Sequence, residues 1–237
     1  MSLMKELIKG KVKTVYAVDD VERVMIMYHD KVTAGNGEKE DHPVGKGTIN
    51  CAISTELFKL IKGLSIRTHH ISTVGPTMLC QKVDIIPIEV VVRNIAAGSI
   101  VRQTTIEEGT VFETPLIEFY LKDDDKNDPL LTKRRLRLMG YDLSKEIEPL
   151  EQMSHDVNYK LKRIFDMIGL TLVDFKLEFG YDSRQNLLLA DELSPDGMRL
   201  WKKGTQESMD KDIFRKGNGD IVPVYQKILD DLLNISL

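Results

Sequence analysis

Lysine recurs at every second position near the start of the chain, as Lys9, Lys11 and Lys13 in KGKVKTVY. On a strand, residues two apart share a face. The three ammonium groups would then line one side, with Val12 on the other. Like charges placed this way repel unless an anion sits among them, and Gly10 would let a phosphate approach the backbone. The plainer reading is a solvated edge strand guarded by lysines. Farther on, VVVRNIAAGS carries Arg93 at the end of an apolar run and Ser99 in a turn of small residues. That guanidinium could fork onto a phosphate or carboxylate. A structural turn with a surface arginine fits equally well.

The alternation in Leu172–Phe179 is the most informative pattern. Val173, Phe175, Leu177 and Phe179 face one way, and Asp174, Lys176 and Glu178 face the other. The next strand-like run, Leu187–Glu192, is apolar until Asp191. It is expected to be buried on both faces, so its neighbour's charged face would line a cleft. Glu178 and Asp191 flank a polar turn and could meet across the hairpin. Close carboxylates repel unless a proton or cation intervenes. Mg²⁺, a hard ion that travels with nucleotide phosphates, suits them. The alternative is an amphipathic hairpin with a salt-bridged outer face. Beyond it, Pro195-Asp196-Gly197 reads as a turn that aims Arg199 back at the hairpin end. Trp201 reads as core. Arg215 is a second anion clamp or a plain surface charge.

Other chemistries find little support. Gly45-Lys46-Gly47-Thr48 lacks P-loop spacing, because Glu40 and Gly47 stand where the motif needs Gly and Ser or Thr. It reads as the entry to a helix. The five histidines are scattered, each structural or exposed, and there is no GxSxG elbow. Cys51 and Cys80 form neither a CxxC pair nor a zinc set, and read as buried thiols in a reducing compartment. Anion grips with a metal and no nucleophile suit phosphoryl transfer, which rests on positioning and charge neutralisation.

These side chains need a scaffold. The 237 residues suffice for one large domain or two intimate lobes. A net charge of −4 argues against a nucleic-acid binder. No apolar run of about 18 residues offers a membrane span, and the N-terminal segment lacks a signal core. A cytoplasmic protein is expected. Strands are expected over 12–17 and 23–28, a turn at Gly35-Asn36-Gly37, and a helix over 48–62. A β-rich block over 66–92 follows, punctuated by Pro76 and Pro87. Helical spacing returns over 144–168 and 223–233, with strands at 170–179 and 187–192 between them. Strand-rich and helix-rich blocks segregate, so the fold class is α+β. The expected division is a β-rich lobe over 1–85 and a larger mixed lobe over 86–237, with the active site between them.

Five blocks now read together: GKVKTVY, IPIEVVVRNIAAGS, LVDFKLEFG, ADELSPDGMRLW and MDKDIFR. In order and approximate spacing they resemble the signature blocks of the succinocarboxamide synthase (SAICAR synthase) family, over nearly the whole chain. The resemblance implies a two-lobed ATP-binding fold related to ATP-grasp enzymes. It implies that ATP phosphorylates the carboxylate of carboxyaminoimidazole ribonucleotide, and that the amine of L-aspartate displaces phosphate to form an amide. By the same resemblance, Lys11 and Lys13 hold ATP phosphates beside Val15. Lys82, Val83 and Asp84 lie near the adenine, and Lys122 lies near the nucleotide. Glu178 and Asp191 ligate Mg²⁺. Arg93, Ser99, Asp174, Lys176 and Arg199 bind the ribonucleotide, with Glu89 nearby and Arg215 more loosely attached. Lys11, Lys13, Arg93, Asp174 and Lys176 form the catalytic set, and a homodimer is implied. Two departures stand out: the family often has an acid near the position of Asn36, and residues 132–137 are markedly basic. From the residues alone, a small-molecule kinase and a nucleotide-binding regulatory module stay open.

Overall fold

The computed structural model describes residues 5–235, the Asn36 side chain excepted, so the expectation attached to Asn36 lies outside it. The lysine-rich entry is a hairpin. β1 (Glu6–Lys9) and β2 (Lys13–Ala17) run antiparallel, and Gly10 N donates to Lys13 O across the reversal at 2.8 Å. A Cβ on Gly10 would meet that oxygen at 3.3 Å, which suits the turn to glycine. Lys9, Lys11 and Lys13 therefore share no strand face, because the chain reverses between them.

The hairpin opens a five-stranded antiparallel sheet ordered β1-β2-β3-β7-β6. It includes β3 (Arg23–Tyr28) and, after a small hairpin of β4 (Val32–Ala34) and β5 (Lys39–Asp41), helix α1 (Lys46–Ile61) lies against it. β6 (His70–Val74) and β7 (Thr77–Gln81) complete the sheet. The glycines at the start of α1 do serve helix entry. The Asp30 carboxylate accepts from Gly45 N and Gly47 N, each at 2.8 Å, and satisfies two orphan donors of the first turn.

The second sheet is six-stranded and antiparallel, ordered β10-β9-β8-β11-β12, with β13 also paired to β11. Its long members are β8 (Asp84–Ile95), β9 (Val111–Leu121) and β11 (Leu170–Tyr181). Helix α2 (Ser99–Gln103) links β8 to β9. β10 (Leu130–Leu131) and α3 (Lys133–Leu138) lead to α4 (Glu148–Met167), which packs on β11. β12 (Leu187–Ala190), β13 (Met198–Lys202), α5 (Asp212–Lys216) and α6 (Ile221–Leu233) complete the chain. Pro87 was expected to punctuate this region, yet it sits inside β8. It lies where the β8–β11 register shifts between Glu178 and Gly180, so its missing N–H costs no regular ladder bond.

The apolar stripe of α4 meets the core as its spacing predicts. Leu150, Val157, Leu161 and Phe165 are almost fully buried, each worth roughly 1.5–3 kcal/mol. The helix starts at Glu148 rather than Ser144, because Asp142 first caps a wider turn over Leu143–Ile147. Gly169, with φ +73°, follows its end. One core cluster runs from β3 and α1 through β8 and β11 to α4 and α6. The edge of β12 is covered by residues 67–69: Leu189 N donates to Arg67 O at 2.8 Å, and His69 N to Leu189 O at 3.0 Å. The basic stretch forms the short helix α3, capped by Thr132, with Leu136 buried and Lys133 paired to Glu151. None of its residues lines the cleft described next. No described helix is long and apolar enough to cross a membrane.

Candidate active site

The charged faces of β8 and β11 floor a cleft of about 860 Å³, which the first sheet overhangs. Alternation along β8 turns Glu89, Val91 and Arg93 into it. Alternation along β11 does the same for Asp174, Lys176 and Glu178. The predicted clustering on one face therefore holds. From the first sheet come Lys11, Lys13 and Val15, and Lys82 and Val83 line the connection to β8. Ser99, Lys122, Asp191, Arg199 and Arg215 complete the expected set. Asp84 alone of the expected residues does not line the cleft. Its neighbours Val83 and Ile85 face inward, which turns Asp84 outward, where it is exposed.

The two ends differ in chemistry. Ile8, Val15, Val24, Ile26 and Ile85 give one part an apolar wall suited to a flat base. The rest is a mosaic of charges. Asp174 lies opposite Arg93 on one side of β11 and Arg199 on the other. Its Oδ2 accepts from Arg93 Nη1 at 3.0 Å and from Arg199 Nη1 at 2.8 Å. Arg93 also donates to Glu118 Oε2 at 2.7 Å and to Ser99 Oγ at 2.8 Å. Burial raises the Asp174 carboxyl, with Arg199 and Arg93 pulling against it. Gly98 makes room for this cluster. It has φ +69°, and a Cβ there would come within 2.4 Å of Arg199 Nη2.

Lys176 Nζ donates to Glu89 Oε1 at 2.6 Å and to Glu178 Oε1 at 2.8 Å, while Lys122 binds the other oxygen of Glu178. Lys13 Nζ donates to Asp191 Oδ1 at 2.6 Å and to Glu192 Oε1 at 2.7 Å. Burial alone would lower the proton affinity of Lys13, but Asp191 and Glu192 reverse that and lift it above the ordinary lysine value. Burial likewise opposes ionisation of Asp191, and Lys13, Lys176 and Lys122 overcome it and hold the carboxyl low. Lys11, at the exposed hairpin turn, pairs with Asp124 at 2.8 Å.

Several residues here were missed by sequence reading. Lys46 is buried at the start of α1, pairs with Asp196 and donates to Lys31 O at 3.0 Å. Asp196 in turn accepts from Tyr225 on α6 at 3.0 Å. A lysine in the first turn of a helix opposes the helix dipole, and that was the available signal. Lys211 also lines the cleft. Desolvation lowers its pKa, and among the described residues no hydrogen bond or ion pair holds its ammonium. His69, read as structural or exposed, is buried and hydrogen-bonded as a structural histidine is, and it also lines the cleft. Burial pulls it down to about 4, so it is neutral. Cys51 and Cys80 are buried free thiols, and burial pushes Cys51 up to about 12.

A cleft with an apolar wall beside lysines, and guanidiniums anchored on buried carboxylates, suits a protein of the class that handles phosphorylated anions. The comparisons narrow that class. A family model described as SAICAR synthetase matches residues 6–232. The phosphoribosylaminoimidazole-succinocarboxamide synthase of Methanocaldococcus jannaschii is 44% identical, with 95% of this chain and 93% of that protein covered. The enzyme of the same name from Staphylococcus carnosus is 44% identical over 97% of this chain and 98% of its own. A structure of a type-2 SAICAR synthetase in complex with ADP aligns with a TM-score of 0.92 at 36% identity, covering 97% of this chain and 98% of that one. The synthase from Ehrlichia chaffeensis aligns at 0.93 and 36% identity, covering 98% and 100%. This chain belongs to the SAICAR synthetase family, and its α+β fold is the family's.

Proposed function

We propose that this cleft joins L-aspartate to the carboxylate of carboxyaminoimidazole ribonucleotide at the expense of ATP, giving SAICAR, ADP and phosphate. A carboxylate oxygen of the ribonucleotide attacks the γ-phosphorus of ATP, and the bond to ADP breaks. The aspartate amine then attacks the acyl carbon, phosphate leaves with the bonding pair, and the amine gives up a proton. The observation that carries this reading is the meeting of an apolar wall, the Lys13 grip and the Arg93–Asp174–Arg199 cluster in one cleft.

Lys11 and Lys13 hold the ATP phosphates, with Val15, Lys82 and Val83 around the base. Arg93, Ser99 and Arg199 hold the anionic groups of the ribonucleotide, and Asp174 fixes both guanidiniums. Lys176, between Glu89 and Glu178, neutralises charge that develops on the transferred phosphoryl group. The Lys211 ammonium, which among the described residues makes no hydrogen bond or ion pair, suits a carboxylate of L-aspartate, with Arg215 close in sequence.

Glu178 and Asp191 are the residues for Mg²⁺. No trio of potential ligands is clustered among the described residues. A magnesium ion carried on phosphates needs only one or two carboxylates from the protein, and these hard oxygen donors fit it. Bound there, the ion would neutralise phosphate charge. We further take the chain as lobes 1–85 and 86–237, because it leaves the first sheet at Gln81 and enters the second at Asp84. A cytoplasmic homodimer completes the reading, and light scattering would return twice the chain mass.

A structure with ADP and Mg²⁺ tests the assignments. The expected result is nucleotide phosphate against Lys11 and Lys13 and metal on Glu178 and Asp191. ADP bound away from the hairpin would sink them.

A further inference from the structure

We infer that His69 is a positioning residue for Asp191, holding its backbone so that the carboxylate faces the nucleotide end of the cleft; this rests on the role proposed above for Asp191. His69 is 2% exposed, and its Nε2 lies 3.1 Å from Asp191 O. A carbonyl oxygen only accepts, so in this bond Nε2 carries the hydrogen, and Cys80 Sγ, 3.7 Å from the same nitrogen, is then an acceptor.

The carbonyl it holds belongs to a strained residue. Asp191 has φ +59°, in the left-handed region. Non-glycine residues persist there where the surroundings over-determine them. The strand β12 ends one residue earlier, at Ala190. The left-handed turn follows at once, and it leaves the Asp191 carboxylate on Lys13. Without a partner for the Asp191 carbonyl, the backbone could relax toward extended geometry and carry the carboxylate away from Lys13.

His69 is itself well anchored for this task. Its N–H donates to Leu189 O at 3.0 Å, on the strand that leads into Asp191. Its own carbonyl accepts from Gln81 N at 2.7 Å, which ties it to β7. The Phe58 ring packs edge-on against the imidazole at 5.4 Å between centroids. The side chain therefore links the first sheet to the residue at the end of β12, and touches no carboxylate oxygen of Asp191 in doing so.

The test compares His69→Leu with His69→Gln, whose amide nitrogen reaches the place of Nε2. In His69→Leu the KM for ATP with Mg²⁺ rises about 10–100-fold, the scale of lost outer-shell partners, and the KM for the ribonucleotide changes much less. His69→Gln recovers most of the loss. On an Asp191→Asn background, His69→Leu makes little further difference, because the imidazole acts through Asp191. An unchanged KM for ATP in folded His69→Leu overturns the inference. So does an equal rise in every KM, or full additivity with Asp191→Asn. If Asp191→Asn itself matches wild type, the proposed role of Asp191 falls and this inference with it. If Asp191→Asn is impaired while His69→Leu is not, only this inference falls. Should His69→Leu fail to fold, His69→Gln against His69→Asn carries the same contrast, since the Asn amide stops at the place of Nδ1.

Discussion

Lys13 Nζ stands 2.6 Å from Asp191 Oδ1, a contact between residues 178 positions apart. The ammonium assigned to phosphate thus rests on the carboxylate assigned to metal. Each charge neutralises the other across the cleft. Burial makes that pairing matter, since the Lys13 side chain is only 13% exposed.

Lys13→Met removes the countercharge of both Asp191 and Glu192. Stability is expected to fall by about 3–5 kcal/mol, the cost of stranding a buried charge. Turnover falls roughly 10²–10³-fold. Urea unfolding and steady-state kinetics on the same preparation check both numbers.

Glu178→Gln keeps the shape of the side chain and removes its charge. Turnover is expected to drop roughly 10²–10³-fold, on the scale of one lost electrostatic contact. A rate near wild type at saturating Mg²⁺ would take Glu178 out of the metal site.

Arg199→Ala should raise the KM for the ribonucleotide more than that for ATP. Gly98→Ala should reproduce this pattern, because its Cβ would displace the guanidinium it approaches within 2.4 Å. Equal effects on both substrates would place Arg199 elsewhere in the reaction.

Lys211→Ala is expected to raise the KM for L-aspartate about tenfold or more, as removal of a charge-assisted bond worth roughly 1.5–3 kcal/mol requires. The KM for ATP stays close to wild type. Initial rates with each substrate varied in turn distinguish the two.

The alternation of Leu172–Phe179 was legible because a period of two states which side chains share a face. The meeting of Asp174, Lys176 and Glu178 in a cleft followed from it. The same logic misread Lys9, Lys11 and Lys13. There the Gly10–Lys13 hydrogen bond reverses the chain, and spacing alone carries no sign of that. Pro87 misled for a related reason, since a register shift absorbs it within β8. Lys46 and His69 were missed because their partners, Asp196 and Asp191, lie 150 and 122 positions away. No local pattern encodes such contacts; they arise only when the two sheets pack.

Asp210 gives a prediction about pH. Burial raises its pKa from 3.8 to about 7, although it accepts from Leu200 N at 2.8 Å and Asp212 N at 2.7 Å. The folded state therefore keeps the proton to higher pH than the unfolded chain. Its stabilising share is full below 3.8 and is lost as pH rises toward about 7. Asp210→Asn disturbs those two bonds by a pH-independent amount and removes the slope. Denaturant titrations from acid to neutral pH, wild type minus variant, should show a declining difference. A flat difference would mean that Asp210 titrates alike in the folded and the unfolded chain.

The cleft is proposed to activate a ribonucleotide carboxylate for attack by one particular amine, and that proposal has a direct test: steady-state ADP release with carboxyaminoimidazole ribonucleotide, L-aspartate and each omitted in turn. Turnover is expected to be sustained with both present and lost when either is left out or when L-aspartate is replaced by another amine. Equal ADP release with any amine, or a stable phosphorylated product without one, would contradict it.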